Sequence, residues 1–199
     1  MKIILASKNE DKIDEIKRIL QKCNIELLTC HDISIPDVEE TGSTFVQNAM
    51  LKAKSASNFT GLASIADDSG IEVEFLKGKP GIKSARYAGE NASNEENNIK
   101  LLSELHKIPF AERKACYKCV IVFMKSPNDP SPFISYGSWE GYIALKPEGR
   151  NGFGYDPIFY LPKYEKTSAQ ISPSEKNKIS HRAKALTELE KFLCRFIKK

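Results

Sequence analysis

Apolar residues along this chain occur in two kinds of run, and the spacing within each predicts an element. "KIILA" (2–6) is a short continuous apolar stretch, as expected of a buried strand. Polar "SKNEDK" follows, and then Ile13, Ile16, Leu20 and Cys23 recur three to four apart. That spacing predicts an amphipathic helix, with Asn9 as its cap and Glu10 and Asp11 in its first turn. "IELLTC" (25–30) reads as a second strand, so the chain opens as a β-α-β unit. After "DISIPDVEETG", Thr44 and Gln47 have the spacing of a capping box and predict a helix reaching about Asn58.

"ASIAD" is the next strand. It ends on two adjacent acids, Asp67 and Asp68, and the apolar pattern resumes at Ile71 and Val73 beyond an expected turn. Ser93 and Glu96 predict a capped helix through Ile99, Leu102 and Leu105. "ACYKCVIVFM" and "PFISYGSWEGYIAL" are two long strands, with Gly137 and Gly141 marking bulges or bends in the second. A loop rich in Gly and Pro spans 146–157. Ser172, Pro173 and Glu175 open the last helical segment, which continues through Ile179, Leu186, Leu189, Leu193 and Phe196. Strands and helices alternate early, whereas the middle strands follow one another directly. The expectation is an α/β fold with a mixed central sheet flanked by helices. No repeat or linker divides the chain, so residues 1–199 are expected to form a single domain.

Composition acts mainly by exclusion. Apolar residues make up 41% of the chain and charged residues 28%, an ordinary balance for a globular protein. No stretch approaches the ~18 apolar residues of a membrane span, and the N-terminus turns polar too early for a signal peptide. A cytoplasmic protein without a membrane partner is expected. A net charge of +4 without a dense basic block argues against a nucleic-acid partner. The five cysteines are odd in number and scattered, which argues against a disulfide framework. "CYKC" (Cys116, Cys119) has redox spacing, but it lies in a strand pattern where positions three apart face opposite sides, so it reads as structural. His31, His106 and His181 offer no companion spacing for zinc. "GKPGIKS" lacks phosphate-loop spacing, and "GFGYDP" has Pro157 where a dinucleotide fingerprint needs its last glycine.

Four stretches carry candidate chemistry. "SKNEDK" places a helix start and Lys12 together, an arrangement suited to an anion as well as to an ordinary turn. "VEETG" supplies Glu39 and Glu40 ahead of a helix bearing Lys52 and Lys54, a set also compatible with a solvated face. Asp67 and Asp68 either cap a turn or hold a divalent cation; Mg²⁺ takes oxygen ligands, usually one or two carboxylates with waters and phosphates. Their adjacency leaves the choice of a general base between them open. "GRNGFGYDP" and "SEKNKISHR" offer Phe153 and Tyr155 for stacking on a base, Asp156 as an acceptor, and Lys176, His181 and Arg182 as donors. A helix break near Ser180 would let Lys176 and Arg182 point into one cleft.

Taken in order, "SKNEDK", "EETGSTFVQNAMLKA", "IADDSGIEV", "GKPGIKSARYAG", "GSWEG", "GFGYDPIF" and "EKNKISHRAKAL" resemble the inosine triphosphate pyrophosphatase family, in its bacterial-type form, over nearly the whole chain. The resemblance implies an elongated, two-lobed α/β architecture with a central cleft, a homodimer, and a requirement for Mg²⁺. It implies hydrolysis of deaminated purine nucleoside triphosphates (ITP, dITP, XTP) to the monophosphate and pyrophosphate, which cleanses the nucleotide pool. By the same resemblance, Ser7, Lys8, Asn9, Glu10, Asp11 and Lys12 serve the phosphates, as do Lys52 and Arg86. Asp68 is metal ligand and general base, Glu39 is similar to a second metal ligand with Glu40 beside it, and Ser69 joins substrate binding. Phe153, Gly154, Tyr155, Asp156, Lys176, His181 and Arg182 surround the nucleoside. Arg182, which only donates, would favour the 6-oxygen of hypoxanthine over the amino group of adenine. Two other readings are a nucleic-acid-binding module using Phe153 and Tyr155, and a pyrophosphatase for pyrimidine nucleotides.

Overall fold

A computed structural model describes residues 1–197. Strand β1 (Lys2–Leu5), helix α1 (Glu10–Leu20) and strand β2 (Glu26–Thr29) form the opening unit. Asn9 caps α1 by accepting the Lys12 amide, and Ile13, Ile16 and Leu20 are its buried face. Helix α2 (Phe45–Thr60) starts at Thr44, whose hydroxyl accepts the Gln47 amide. The Gln47 carboxamide returns to the Ser43 amide and hydroxyl, one residue earlier than a standard capping box. Gly61 closes α2 at φ +69, in the left-handed region that glycine tolerates.

Strand β3 (Ala63–Val73) corrects the expected turn: it runs unbroken through Asp67, Asp68, Ser69 and Gly70. A strand can carry charged side chains inside when each finds partners, and both acids do, as described below. Helix α3 (Asn94–Glu104) has both reciprocal bonds of its Ser93–Glu96 capping box. Strands β4 (Lys114–Met124) and β5 (Phe133–Ile143) follow. Gly141 does not break β5. It permits a close approach, since a Cβ there would lie 2.5 Å from the Tyr160 carbonyl oxygen. Strands β6 (Phe159–Leu161) and β7 (Lys166–Thr167) lead to helix α4 (Pro173–Ile179) and helix α5 (His181–Phe196). Between these helices Ser180 is extended (φ −68, ψ 163), the break expected from the sequence.

The seven strands form one sheet in the order β2-β1-β3-β4-β5-β6-β7. β1 pairs parallel with β2 and β3, while β6 pairs antiparallel with β5 and β7. The sheet is therefore mixed, in the α/β class expected. No helix among the described residues is long and apolar enough to cross a membrane. All five cysteines are free thiols.

By contacts along the chain, the molecule divides into two compact units. The first comprises residues 1–68, 119–137 and 182 onward. Within it, successive side chains of β1 and β3 alternate between two cores. Ile3, Leu5 and Ile65 pack with Ile13, Ile16 and Leu20 of α1 and Leu186, Leu189 and Leu193 of α5. Ala66, Val120 and Val122 pack with Ala49 and Ala53 of α2, and Ile4 packs with Ala56. The second unit comprises 69–118 and 138–181, with a core of Ile71, Val73, Leu101, Leu105, Trp139, Ile143, Tyr155, Ile158 and Phe159 among others.

Candidate active site

In the first unit, the alternation that sorts the core also sorts the acids. Asp67 and Asp68 are neighbours on β3, so their side chains leave opposite faces of the strand. Asp67 is 1% exposed and its Oδ2 lies 3.0 Å from Lys12 Nζ and 3.4 Å from Arg182 Nε. Burial alone would raise its pKa, but Lys12 and Arg182 outweigh that and hold the carboxyl well below the usual range. Asp68 Oδ1 is 2.9 Å from Lys52 Nζ, and its Oδ2 accepts a long 3.5 Å contact from Asn48 Nδ2. For Asp68 burial prevails over Lys52 and Lys12, and its pKa is raised. One acid is thus a fixed anion, and its neighbour is the better proton acceptor.

Lys52 also reaches Glu40 Oε1 at 2.8 Å, so it bridges two carboxylates. Its own burial disfavours the charge, yet Asp68, Asp67 and Glu40 overcome this and raise its pKa. The loop carrying Glu40 is drawn onto α2 at Gly42, whose amide donates to Asn48 Oδ1 at 2.8 Å. A Cβ at Gly42 would fall 2.5 Å from that same oxygen, so only glycine fits. Glu39, beside it, is exposed.

The β1–α1 turn presents the remaining phosphate candidates. Ser7 Oγ accepts the Asn9 amide at 3.3 Å. Lys8 is exposed and pairs with Asp37, and Glu10 pairs with His31. Asp11 is exposed in the first turn of α1. Arg182 joins the charges around Asp67. Its side chain is 3% exposed and its Nη1 binds Glu15 of α1, while its Nε faces Asp67.

In the second unit, Ser69 is half-buried at the point where β3 enters it. The Phe153–Asp156 stretch is tied down from several sides. Asp156 Oδ2 accepts the Phe153 amide at 2.9 Å and Lys176 Nζ at 2.6 Å. Gly152 (φ +73) leaves room for that carboxylate; a Cβ there would overlap Asp156 Oδ2. Lys176 Nζ also sits 4.7 Å from the centre of the half-buried Phe153 ring. The Gly154 carbonyl accepts Asn98 Nδ2 at 3.0 Å. Tyr155 is a core residue: its hydroxyl donates to the Ser84 carbonyl at 2.8 Å, and burial raises its pKa. His181 is buried, its ring parallel to that of Tyr117. Arg86 faces Glu90 at 3.8 Å.

Sequence reasoning passed over Glu15, Asn48, Asn98 and Tyr117. Asn48 sits one turn before Lys52 on α2, a spacing that places both on one face and was visible in the sequence. The other three carry no local signal, because their partners lie far along the chain. Among the described residues no cluster of three or more His, Cys, Asp or Glu is assembled to hold an ion unaided. The carboxylate oxygens of Asp68 and Glu40 do suit Mg²⁺, which commonly takes one or two carboxylates and completes its shell with water and substrate phosphate.

A mixed α/β sheet whose β3 carries two buried carboxylates, each set against a lysine, is the frame of the site. The chain belongs to the Ham1 family, whose model matches residues 3–192. It is 50% identical over 188 residues to the dITP/XTP pyrophosphatase of Vibrio parahaemolyticus, covering 94% of each chain. It is 47% identical to that of Coxiella burnetii over 193 residues, covering 97% of this chain and 96% of the relative. The solved structure of a HAM1 protein from Coxiella burnetii superposes with a TM-score of 0.92 at 47% identity, over 98% of this chain and 99% of that one.

Proposed function

We propose that this chain is a nucleoside triphosphate pyrophosphatase that hydrolyses deaminated purine nucleotides (dITP, ITP and XTP) to the monophosphate and pyrophosphate. The observation that carries the reading is Asp68: a buried carboxylate with a raised pKa, held by Lys52, beside an Asp67 that stays ionised. The near full-length relatives named as dITP/XTP pyrophosphatases support the substrate class. Such a role on the nucleotide pool belongs in the cytoplasm, and a homodimer is proposed for the assembly.

In the reaction a water oxygen attacks the α-phosphorus as the bond to the bridging oxygen of the β-phosphate breaks. The water proton passes to Asp68, and pyrophosphate leaves. Lys12, Lys52 and the start of α1 meet the negative charge that builds on phosphate oxygens. Asp68 and an acid of the Glu39–Glu40 pair would hold Mg²⁺; Glu40 is the one that shares Lys52. The ion would neutralise phosphate charge and polarise the reacting centre. Phe153 offers a half-buried ring to a base, and Lys176 and His181 are the donors of the second unit. Arg182 also holds Asp67.

The test is pyrophosphate release from dITP, ITP, XTP, dATP, dGTP and dUTP, with Mg²⁺ or with EDTA. The reading expects turnover of the first three alone and its loss in EDTA. Equal turnover of dATP, or none of dITP, would overturn it.

A further inference from the structure

We infer that Tyr117, which follows Cys116, is a positioning residue for base recognition, acting through His181. The inference rests on the function proposed above. Tyr117 lies on β4 and is 8% exposed, yet it does more than fill the core. Its ring and the His181 imidazole are stacked with centroids 4.5 Å apart and planes within 3° of parallel. Phe159 meets Tyr117 edge-on at 4.7 Å, which fixes the tyrosine in turn. Trp139 approaches His181 at 6.3 Å and 22°, so the imidazole stands in an aromatic setting, with Tyr117 close and parallel to it.

Tyr117 also lies near the other nucleoside stretch. Its hydroxyl oxygen lies 4.0 Å from where a Cβ on Gly154 would stand, so the ring spans from His181 to the Phe153–Asp156 segment. Gly154 is left-handed (φ +61), and its carbonyl is held by Asn98. Tyr117 therefore stacks on one of the two pieces of the second unit that are assigned to the nucleoside and lies beside the other.

The physical consequence concerns orientation. An imidazole has two nitrogens, and which one meets a base depends on the ring plane and its rotation. Position 181 is the first residue of α5, directly after the extended Ser180. Helix geometry alone therefore does little to fix that side chain. Parallel stacking on a rigid aromatic ring removes the tilt. An oriented donor separates a 6-oxo base from a 6-amino base, whereas a tilting one discriminates less. Tyr117 touches no reacting atom, so its effect belongs on KM and on base choice rather than on the rate of the chemical step.

The experiment compares wild type with Y117F, Y117L and Y117V, the last retained because Val suits a central strand should Leu fold poorly. KM and kcat are measured for dITP and dATP, alongside the ring-proton resonances of His181. The exposed His31 and His106 serve as internal references. Y117F keeps the stack and should retain the wild-type preference for dITP. Y117L and Y117V should raise KM for dITP by about 3- to 10-fold with kcat nearly unchanged, the size expected for loss of one aromatic pair. They should also move the His181 resonances downfield, out of the ring current that shields them in wild type and Y117F. A folded Leu or Val variant with wild-type KM and preference overturns the inference, as does a Y117F variant that has already lost them. Wild-type protein inactive on dITP would instead overturn the function on which the inference rests.

Discussion

Asp67 and Asp68 share a strand and a chemistry but have opposite assignments, and single substitutions separate them. Asp67 lies between Lys12 and Arg182, and removing its charge takes the paired carboxylate from Lys12 and leaves the buried Arg182 with Glu15. Asp67→Asn should cost about 3–5 kcal/mol, the usual penalty for breaking a buried pair from one side. For a chain of this length that corresponds to a fall in Tm of roughly 6–20 °C. The sign with pH follows from its depressed pKa: the contribution is present above the ordinary carboxylate value and is lost as pH falls below it toward the folded value. Thermal melts of wild type and Asp67→Asn should therefore differ most near neutrality and converge in acid. Asp68→Asn removes a carboxylate that burial already strains, so it should keep or slightly raise Tm while kcat falls by at least about a hundredfold. Turnover within tenfold of wild type in the folded Asp68→Asn protein would remove Asp68 as the proton acceptor.

At the scale of elements, the end of α3 depends on one side chain that its own sequence does not announce. Arg113 is 3% exposed, and its guanidinium donates to the carbonyls of Leu105, Ile108 and Ala144. It joins the chain leaving α3 to the chain leaving β5 and satisfies three acceptors that no water reaches easily. A lysine has one nitrogen and cannot span that fork. Arg113→Lys should cost about 3 kcal/mol, read as a Tm lower by roughly 6–12 °C in a melt with dITP turnover per folded molecule unchanged. The contrast with the helix starts shows what a sequence discloses. Asn9, Thr44, Ser93 and Ser172 each cap through an amide three residues on, so both partners sit in one short window and were legible. The unbroken path of β3 was not, because whether Asp67 sits in a strand or a turn depends on Lys12 and Arg182. Arg182 is 115 positions from Asp67, and Glu15 is 167 positions from Arg182, separations that no local periodicity reports. For the same reason the different settings of the adjacent glutamates, Glu40 on Lys52 and Glu39 exposed, were not legible.

For the molecule as a whole, the units can be weighed by what binding would do to their stability. The first unit holds Lys12 and Lys52 against Asp67, Asp68 and Glu40, two cations against three carboxylates. Bringing a triphosphate alone to such a set adds anion to anion, so Mg²⁺ and nucleotide should bind together far better than either does singly. Any ligand that binds only the folded chain stabilises it by RT ln(1 + [L]/Kd), about 2.7 kcal/mol at a hundredfold excess over Kd. A non-hydrolysable ITP analogue with Mg²⁺ should accordingly raise Tm by roughly 5–10 °C. The analogue in EDTA, or Mg²⁺ without it, should produce less than half of that shift. The triple substitution Asp68→Asn, Glu39→Gln and Glu40→Gln should abolish the dependence on Mg²⁺, because it removes every carboxylate proposed for the ion while sparing Lys12 and the whole second unit. A full thermal shift in EDTA with wild-type protein would mean that the lysines alone suffice for the phosphates, and that the acids of β3 and the Glu39–Glu40 loop serve the fold rather than a metal.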